Sequence, residues 1–147
     1  MVKLPKFLKT DCYIGGKWVA ASSGRRMDVT DPASGALLAS VPRMGVAETD
    51  NAIAAAQIAF PEWSRRTAAE RALVLQKWAV LIRSHAEDLA QLMTQEQGKP
   101  FAESLGEIEY AASFLSWFAE EGRRLYGDII PAHRNDARIL VTRNPLG

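Results

Sequence analysis

The sequence is poor in cysteine and histidine. Its 147 residues include one cysteine, Cys12, so no disulfide can form within the chain. A reducing compartment, the cytoplasm, is therefore the expected location. The two histidines, His85 and His133, lie far apart, and with a single cysteine they give no spacing typical of metal ligands. We expect no metal centre built from these side chains.

Blocks of like charge and long apolar runs are also missing. The 18 basic and 17 acidic side chains are spread along the chain, whereas nucleic-acid binding needs a concentrated positive face. No run approaches the roughly 20 apolar residues of a membrane-spanning helix. Residues 1–10 alternate lysine with apolar residues and do not form the apolar centre of a secretory signal. These absences predict a soluble intracellular protein without a nucleic-acid or membrane partner.

The chain also lacks a self-contained nucleotide site. Gly-x-Gly-x-x-Gly does not occur, so a Rossmann-type dinucleotide site cannot be built from this chain alone. The segment GRRLYG, residues 122–127, has the glycine spacing of a phosphate loop, but Asp128 replaces the expected lysine and would repel a phosphate. Cys12 begins a predicted strand far from a histidine that could activate it. We predict no catalytic residue and no cofactor-binding residue here.

What is present is a β region followed by helices. Residues 12–41 have the pattern of two β-hairpins, one turning at Gly15-Gly16 and the other at residues 32–35. The second turn contains a proline, which fixes φ, and a glycine, which can adopt a positive φ. After Gly45 the apolar spacing becomes helical, and we predict four helices.

The helix boundaries follow from one proline, two capping patterns and one glycine. The first helix is predicted to end at Pro61. The second is predicted to begin after Thr67, which forms a capping pattern with Glu70, and the third to begin after Ser84, which forms the same pattern with Glu87, and to end at Gly98. The fourth is predicted to run from Phe101 to Glu121. The segment EQGKP, 96–100, is thus interpreted as a helix stop and not as a functional loop.

Apolar residues at helical spacing predict which faces are buried. They are Ile53, Ala56 and Phe60 on the first helix, Val74, Trp78 and Leu81 on the second, and Leu105, Ile108, Ala112, Leu115 and Ala119 on the fourth, with Phe114 and Phe118 on its flank. Glutamates occupy the other side of the fourth helix, so it is predicted to be amphipathic.

The chain closes on a predicted strand within ARILVTRNPLG. Ile139, Leu140 and Val141 favour a strand, and the preceding YGDIIPAH is interpreted as a connector. A strand with unpaired N–H and C=O groups needs a neighbour. We expect that neighbour to lie past residue 147 or on another subunit.

The order of these segments resembles the N-terminal third of the aldehyde dehydrogenase superfamily. The stretches that carry the resemblance are YIGGKWVAA, DPASGALLASVP, AIAAAQIAFPEWSRRTAAERALVLQKWAVLI, LMTQEQGKP, FLSWFAEEGRRLYGDIIP and RNPLG, in the family's order and spacing. EQGKP together with SWFAEEGRRLYGDIIP is most similar to NAD(P)-dependent succinate-semialdehyde dehydrogenases, with glutarate-semialdehyde enzymes close behind.

The resemblance implies an α/β fold of the aldehyde dehydrogenase type, of which this chain holds only the N-terminal part: β-hairpins, then four helices, then one bridging strand. Residues 1–137 would belong to the cofactor-binding domain, and residues 138–147 would form the first strand of the oligomerisation sheet. The partners implied are an aldehyde substrate, the remainder of the same enzyme, and further copies in a homodimer or homotetramer. The cofactor, NADP or NAD, would be bound outside this chain.

The resemblance also suggests residues with a role. Gly106, Tyr110 and Phe114 correspond to a helix face that lines the substrate tunnel in relatives, although ordinary helix packing explains the same residues. Some relatives bind a monovalent cation through backbone carbonyls and one acid, at positions equivalent to Val29, Thr30 and Glu96. Cys12 does not match the motif of the family's nucleophile. A helical interaction module without catalysis remains an alternative.

Overall fold

A computed structural model describes residues 4–146. Residues 1–3, the beginning of the segment compared above with a secretory signal, and residue 147, the end of the predicted bridging segment, lie outside the described residues. The elements are β1 Cys12–Ile14, β2 Lys17–Val19, β3 Arg26–Thr30, β4 Leu37–Pro42, α1 Val46–Arg65, α2 Ala68–Ser84, α3 Ala86–Gln97, α4 Phe101–Arg123, β5 Asp128–Ile130 and β6 Ile139–Val141. Within residues 4–146, no helix combines the length and apolarity needed to cross a membrane.

Both predicted hairpins are confirmed. β1 and β2 pair antiparallel, and Gly15 and Gly16 between them have φ of 57° and 81°, which a tight two-residue turn requires. β3 pairs with β4 antiparallel. In their turn Asp31 Oδ1 accepts a bond from Ala33 N at 2.8 Å, and Gly35 has a φ of 71°.

Pro61 does not end α1, so that boundary prediction was wrong. The helix continues through it to Arg65. Proline removes a single backbone donor, and Ser64 Oγ donates to Pro61 O at 3.2 Å one turn later. The helix stops instead where Arg66 turns extended, with a ψ of 145°, ahead of the next cap.

Of the two predicted capping patterns, only the first is confirmed. Thr67 N donates to Glu70 Oε2 at 2.8 Å, and Glu70 N donates to Thr67 Oγ1 at 3.3 Å. Ser84 is the last residue of α2, and its hydroxyl donates to Leu81 O at 2.8 Å. That hydroxyl therefore points back along α2, and His85 is the N-cap residue of α3.

The predicted helix stop at Gly98 is also confirmed. Gly98 has a φ of 73°, and its N–H donates to Thr94 O at 2.8 Å, as the left-handed cap requires. α4 follows from Pro100 and ends at Arg123, slightly beyond the predicted Glu121. Thr94 and Ser104, the latter fully buried, share a 2.9 Å hydrogen bond that fixes α3 against α4.

The core lies between α2 and α4 and is built largely from alanine. Five alanines are at most 2% exposed, namely Ala72 and Ala79 on α2, Ala112 and Ala119 on α4, and Ala90 on α3, which packs against the same region. The prediction that Val74, Trp78 and Leu81 face the core was wrong, because they are 40%, 55% and 59% exposed. α2 is apolar on two sides, and its small side turns inward because methyl groups let two helices approach closely.

The predicted apolar face is largely buried on α4 but not on α1. On α4, Ile108 is buried with the two alanines, while Leu115 is half-buried and Leu105 lies at the edge of the core. Within α1, all of whose residues are described, none is buried. Ile53 is 60% exposed and Ala56 is exposed, whereas Phe60 is half-buried, so the predicted apolar face of α1 is only partly covered within the described chain.

The terminal strand has a neighbour within the chain. β6 pairs antiparallel with β5, which lies in the segment predicted to be a connector. The expectation that its neighbour lies elsewhere was therefore wrong for this edge of β6. A Cβ on Gly127 would lie 2.2 Å from Val141 O, so only glycine lets the two strands approach here. The structure thus assigns the second glycine of GRRLYG a role in packing.

Candidate functional site

α4 carries a line of aromatic side chains along its outer face. The ring centroids of Tyr110 and Phe114 lie 4.7 Å apart and those of Phe114 and Phe118 lie 6.3 Å apart. The three residues recur every fourth position, which places them on one side of the helix. They are 65%, 44% and 57% exposed. We call them the aromatic row.

Gly106 extends the same face by one further turn. It lies four positions before Tyr110, and apart from the backbone of its own helix and its chain neighbours, a Cβ built on it would have no described atom within 4 Å. The structure thus brings the three sequence-predicted tunnel residues, Gly106, Tyr110 and Phe114, onto one open face. Chemically this face offers apolar surface, one phenol and a notch without a side chain. These groups can bind and orient a ligand, but they cannot attack one.

Two polar bridges fix α4 to α2. At one end Gln76 Nε2 donates to Glu120 Oε1 at 2.6 Å. At the other, Arg83 Nε lies 3.0 Å from each carboxylate oxygen of Glu109, and Arg83 Nη2 lies 2.7 Å from Glu109 Oε1. The hydrogen bonds between Arg83 and Glu109 raise the pKa of the guanidinium and lower the pKa of the carboxyl group.

The loops that follow the residues of the implied cation site contact each other. Val29 and Thr30 end β3, where the pairing with β4 shifts register, and Glu96 lies in the last turn of α3. The two ends approach closely, since a Cβ on Gly98 would lie 3.0 Å from Pro32 Cγ. Among residues 4–146, no three His, Cys, Asp or Glu side chains cluster as metal ligands, so any cation there would depend on backbone oxygens.

A carboxylate near the start of α1 was missed by the sequence reasoning. Glu48 Oε1 accepts bonds from the hydroxyl and from the N–H of Ser22, the latter at 2.9 Å, and Gly45 N donates to Glu48 Oε2 at 2.7 Å. These bonds, that of the Ser22 hydroxyl first, lower the pKa of Glu48 to about 2. A Gly-x-x-Glu pattern at a helix start could have indicated the local half of this arrangement. Ser22 is too distant in sequence to be foreseen.

The structure does not join the reactive side chains into a catalytic group. Cys12 lies on β1 opposite Val19, and His85, between α2 and α3, packs edge-on against Phe7 with the ring centroids 4.9 Å apart. His133 belongs to the exposed loop between β5 and β6. The arrangement gives these three residues no common site.

One open cleft of about 700 Å³ lies between the end of α1, the start of α2 and the last described residues. Its lining includes Phe60, Trp63, Arg71, Arg123 and Arg143. The arginines already contact the chain's own acceptors: Arg71 donates to Arg66 O, Arg143 to Tyr126 O at 3.1 Å, and Arg123 lies 4.0 Å from Glu120. The cleft therefore offers shape and apolar surface more than free charge.

Comparisons with known proteins agree on one family. The model of the aldehyde dehydrogenase family matches residues 18–147. The chain is 55% identical over 139 residues to the NADP(+) succinate-semialdehyde dehydrogenase GabD of Escherichia coli, covering 95% of this chain and 29% of that protein. It is 49% identical over 146 residues to the glutarate-semialdehyde dehydrogenase of Pseudomonas putida, covering 99% of this chain and 30% of that protein.

A solved structure supports the same assignment. The crystal structure of succinate-semialdehyde dehydrogenase from Burkholderia pseudomallei superposes with a TM-score of 0.90 at 50% identity, covering 95% of this chain and 29% of that one. The chain thus spans less than a third of the length of these relatives, and its fold is the N-terminal part of theirs. The chain belongs to the aldehyde dehydrogenase family.

Proposed function

We propose that this chain is the N-terminal part of an NAD(P)-dependent aldehyde dehydrogenase that oxidises succinate semialdehyde to succinate. The observation that carries the proposal is the 55% identity, over 95% of this chain, to a succinate-semialdehyde dehydrogenase. Glutarate semialdehyde is the second candidate, supported by 49% identity to an enzyme named for that substrate. The two aldehydes differ by one methylene, so one apolar passage can accept either.

The chemical step belongs to residues outside this chain. The described residues do not fit a nicotinamide dinucleotide, because the strands form only two-stranded antiparallel pairs and no glycine-rich strand-to-helix turn is present in the sequence. The cofactor, whose nicotinamide accepts a hydride from the substrate, is therefore proposed to bind elsewhere in the enzyme. We propose that the nucleophile also lies outside this chain, because Cys12 does not match the motif of the family's nucleophile.

The contribution of this chain is proposed to be one wall of the substrate tunnel. The face formed by Gly106, Tyr110 and Phe114 is apolar and exposed here. Once covered by the rest of the enzyme, it would exclude water from the aldehyde and orient its carbon chain. The notch at Gly106 leaves room that any larger residue would fill.

The terminal strand is proposed to join an oligomerisation sheet. β5 covers one edge of β6, and Leu140 on β6 and Ile129 on β5 remain 67% and 84% exposed. Such apolar exposure on a short sheet favours further pairing. We propose a homodimer or homotetramer with residues 138–147 at the contact, residues 1–137 in the cofactor-binding domain, and a cytoplasmic location consistent with a single cysteine.

The direct test is a substrate and cofactor panel on the enzyme that contains this chain. Initial rates are measured with succinate semialdehyde, glutarate semialdehyde and acetaldehyde, each with NAD and with NADP. We expect the highest kcat/KM with succinate semialdehyde. A higher kcat/KM with glutarate semialdehyde would establish the second candidate, and a preference for acetaldehyde would contradict both.

The interaction-module alternative has its own test. Large apolar residues on α1, α2 and α4 are exposed in the chain by itself, and such a surface marks an interface or a tendency to aggregate. The 147-residue chain is analysed by size-exclusion chromatography and thermal circular dichroism. Our account expects self-association. A monodisperse monomer with a cooperative melt would favour the module.

A further inference from the structure

The α2–α4 interface joins the two helices closely but with little shape to fix their alignment. Ala72 and Ala79 face Ala112 and Ala119, each at most 2% exposed. Alanine methyl groups allow close approach, yet they form shallow ridges that oppose sliding or rotation weakly. These alanines alone therefore do not set how far α4 is turned about its axis. The bond between Thr94 and Ser104 holds α4 against α3, and a separate constraint is needed against α2.

The polar bridges supply that constraint. Arg83 contacts Glu109 through three hydrogen bonds of 2.7–3.0 Å and reaches Ser116 Oγ with Nη1 at 3.3 Å. Glu109 and Ser116 lie two turns apart on one face of α4, so a single guanidinium holds the helix at two heights. A forked contact of this kind fixes direction as well as distance.

The bridge lies next to the aromatic row in sequence. Glu109 immediately precedes Tyr110 on the same helix. A rotation of α4 about its axis that carries Glu109 away from Arg83 therefore turns Tyr110 and Phe114 by the same angle. Both partners are partly exposed, with side-chain exposures of 39% for Arg83 and 60% for Glu109. An exposed pair adds only a small amount to folding stability, an amount that can bias the rotation of α4 but is not needed to hold the two helices together.

We propose that Arg83 and Glu109 are positioning residues for the substrate path, whose ion pair sets the rotation of α4 and thereby orients Tyr110 and Phe114. The inference rests on the proposed function, since it assumes that the aromatic row contacts the aldehyde. The proposed role is not to hold α2 and α4 together. Without the ion pair the two helices stay packed, but the face of α4 that carries Tyr110 and Phe114 rotates.

The test uses the enzyme that contains this chain, with kcat and KM measured for succinate semialdehyde and glutarate semialdehyde. Arg83→Met keeps an apolar stem and removes the charge, and Glu109→Gln removes the opposite charge. We expect each to raise KM roughly threefold to tenfold with a smaller change in kcat. The charge exchange, Arg83→Glu with Glu109→Arg, is expected to restore KM to within about twofold of the original value.

The matched control is Arg134→Met. Arg134 makes a similar forked contact, to Asp136 at 2.9 and 2.7 Å, but within a loop and away from α4, so its KM should stay unchanged. If the Arg83 and Glu109 variants leave KM unchanged, as this control does, while Phe114→Ala raises KM, the positioning role is overturned. The proposal that the aromatic row lines the substrate tunnel is then still supported. If Phe114→Ala leaves KM unchanged, the tunnel itself and the proposal resting on it are overturned.

A variant that does not fold is recognised by circular dichroism, and the charge exchange then carries the test alone. Recovery of both fold and KM in the exchanged enzyme supports the positioning role. Recovery of the fold with KM still raised overturns it, because cohesion would then have been restored without orientation.

Discussion

The helix pair α2–α4 and the terminal pair β5–β6 are built in opposite ways. The helices bury four alanines and add polar bridges at both ends of their contact. The strands share only three residue pairs, and Ile129 on β5 remains 84% exposed. The first contact is complete within this chain, whereas the second is a surface that further polypeptide can extend. The difference predicts that substitutions in the two regions change different measured properties.

The largest expected effect is in the helix pair. Ala112→Leu forces extra volume into the tight α2–α4 contact and should lower the free energy of unfolding by about 1–3 kcal/mol. Urea denaturation of the original chain and its variants, all at one protein concentration, measures it, because the expected self-association makes stability depend on concentration. The control is Ala56→Leu on α1, an exposed position where a change within about ±0.5 kcal/mol is expected. Equal losses for both variants would show that the alanine contact is not the core.

In the strand pair the expected effect is local. Gly127→Ala places a Cβ 2.2 Å from Val141 O, so β5 and β6 must separate. Faster amide hydrogen exchange at Leu140 and Ile129 should report this. Gly122→Ala is the control. Apart from the backbone of its own helix and its chain neighbours, its Cβ would meet no described atom within 4 Å, and alanine is favoured over glycine in a helix by about 1 kcal/mol. Unchanged exchange in Gly127→Ala would refute the close approach.

The two capping patterns give a smaller and sharper contrast. Thr67→Ala removes the acceptor used by Glu70 N and should cost about 1 kcal/mol in free energy of unfolding. Ser84→Ala removes a hydroxyl that does not cap α3, so a change within about ±0.5 kcal/mol is expected. Thermal or urea melts of both variants compare them directly. A larger loss of unfolding free energy for Ser84→Ala than for Thr67→Ala would indicate that Ser84 caps α3, as the sequence pattern predicted.

The smallest effect depends on pH. Because bonds from Ser22 and Gly45 lower the pKa of Glu48 to about 2, its stabilising contribution is present above the ordinary glutamate pKa near 4.5. That contribution is lost as the pH falls toward 2. Glu48→Gln should therefore lower Tm at pH 7, with the difference shrinking between pH 4.5 and pH 2.

The control for that pH series is Glu103→Gln. Glu103 is an acid in the first turn of α4 whose carboxylate makes no hydrogen bond to another described residue. The Tm difference should depend on pH more strongly for Glu48→Gln than for Glu103→Gln. The same pH dependence in both variants would contradict the hydrogen-bonded arrangement at Ser22.

The parts of the fold that the sequence predicted are those fixed by local chemistry. The glycines at 15, 16 and 98 adopt the positive φ that their turns and cap require, and Thr67 with Glu70 closes a local pair of hydrogen bonds. The wrong capping prediction concerns a side chain that has two possible hydrogen-bond partners nearby in sequence. Ser84 could bond forward to α3 or back to Leu81, and the sequence pattern does not distinguish the two.

Contacts between residues far apart in the chain could not be predicted from the sequence. α2 is apolar on two sides, so only the partner helix decides that its alanines face inward and that Val74 and Trp78 face outward. The bridge from Arg83 to Glu109 and the bond from Ser22 to Glu48 each join residues 26 positions apart. By contrast, Gly106, Tyr110 and Phe114 recur every fourth position, so their common face follows from the helix period alone. Their place in a substrate tunnel is implied by the family resemblance and stays a prediction.

The most direct test of the account compares two exposed aromatic residues. Phe114→Ala and Trp78→Ala each remove a large ring, 44% exposed on α4 and 55% exposed on α2 respectively, and the KM for succinate semialdehyde is measured in the enzyme that contains this chain. The account predicts a raised KM for Phe114→Ala and an unchanged KM for Trp78→Ala. The same KM in both variants would contradict the claim that the aromatic row of α4 lines the path of the substrate.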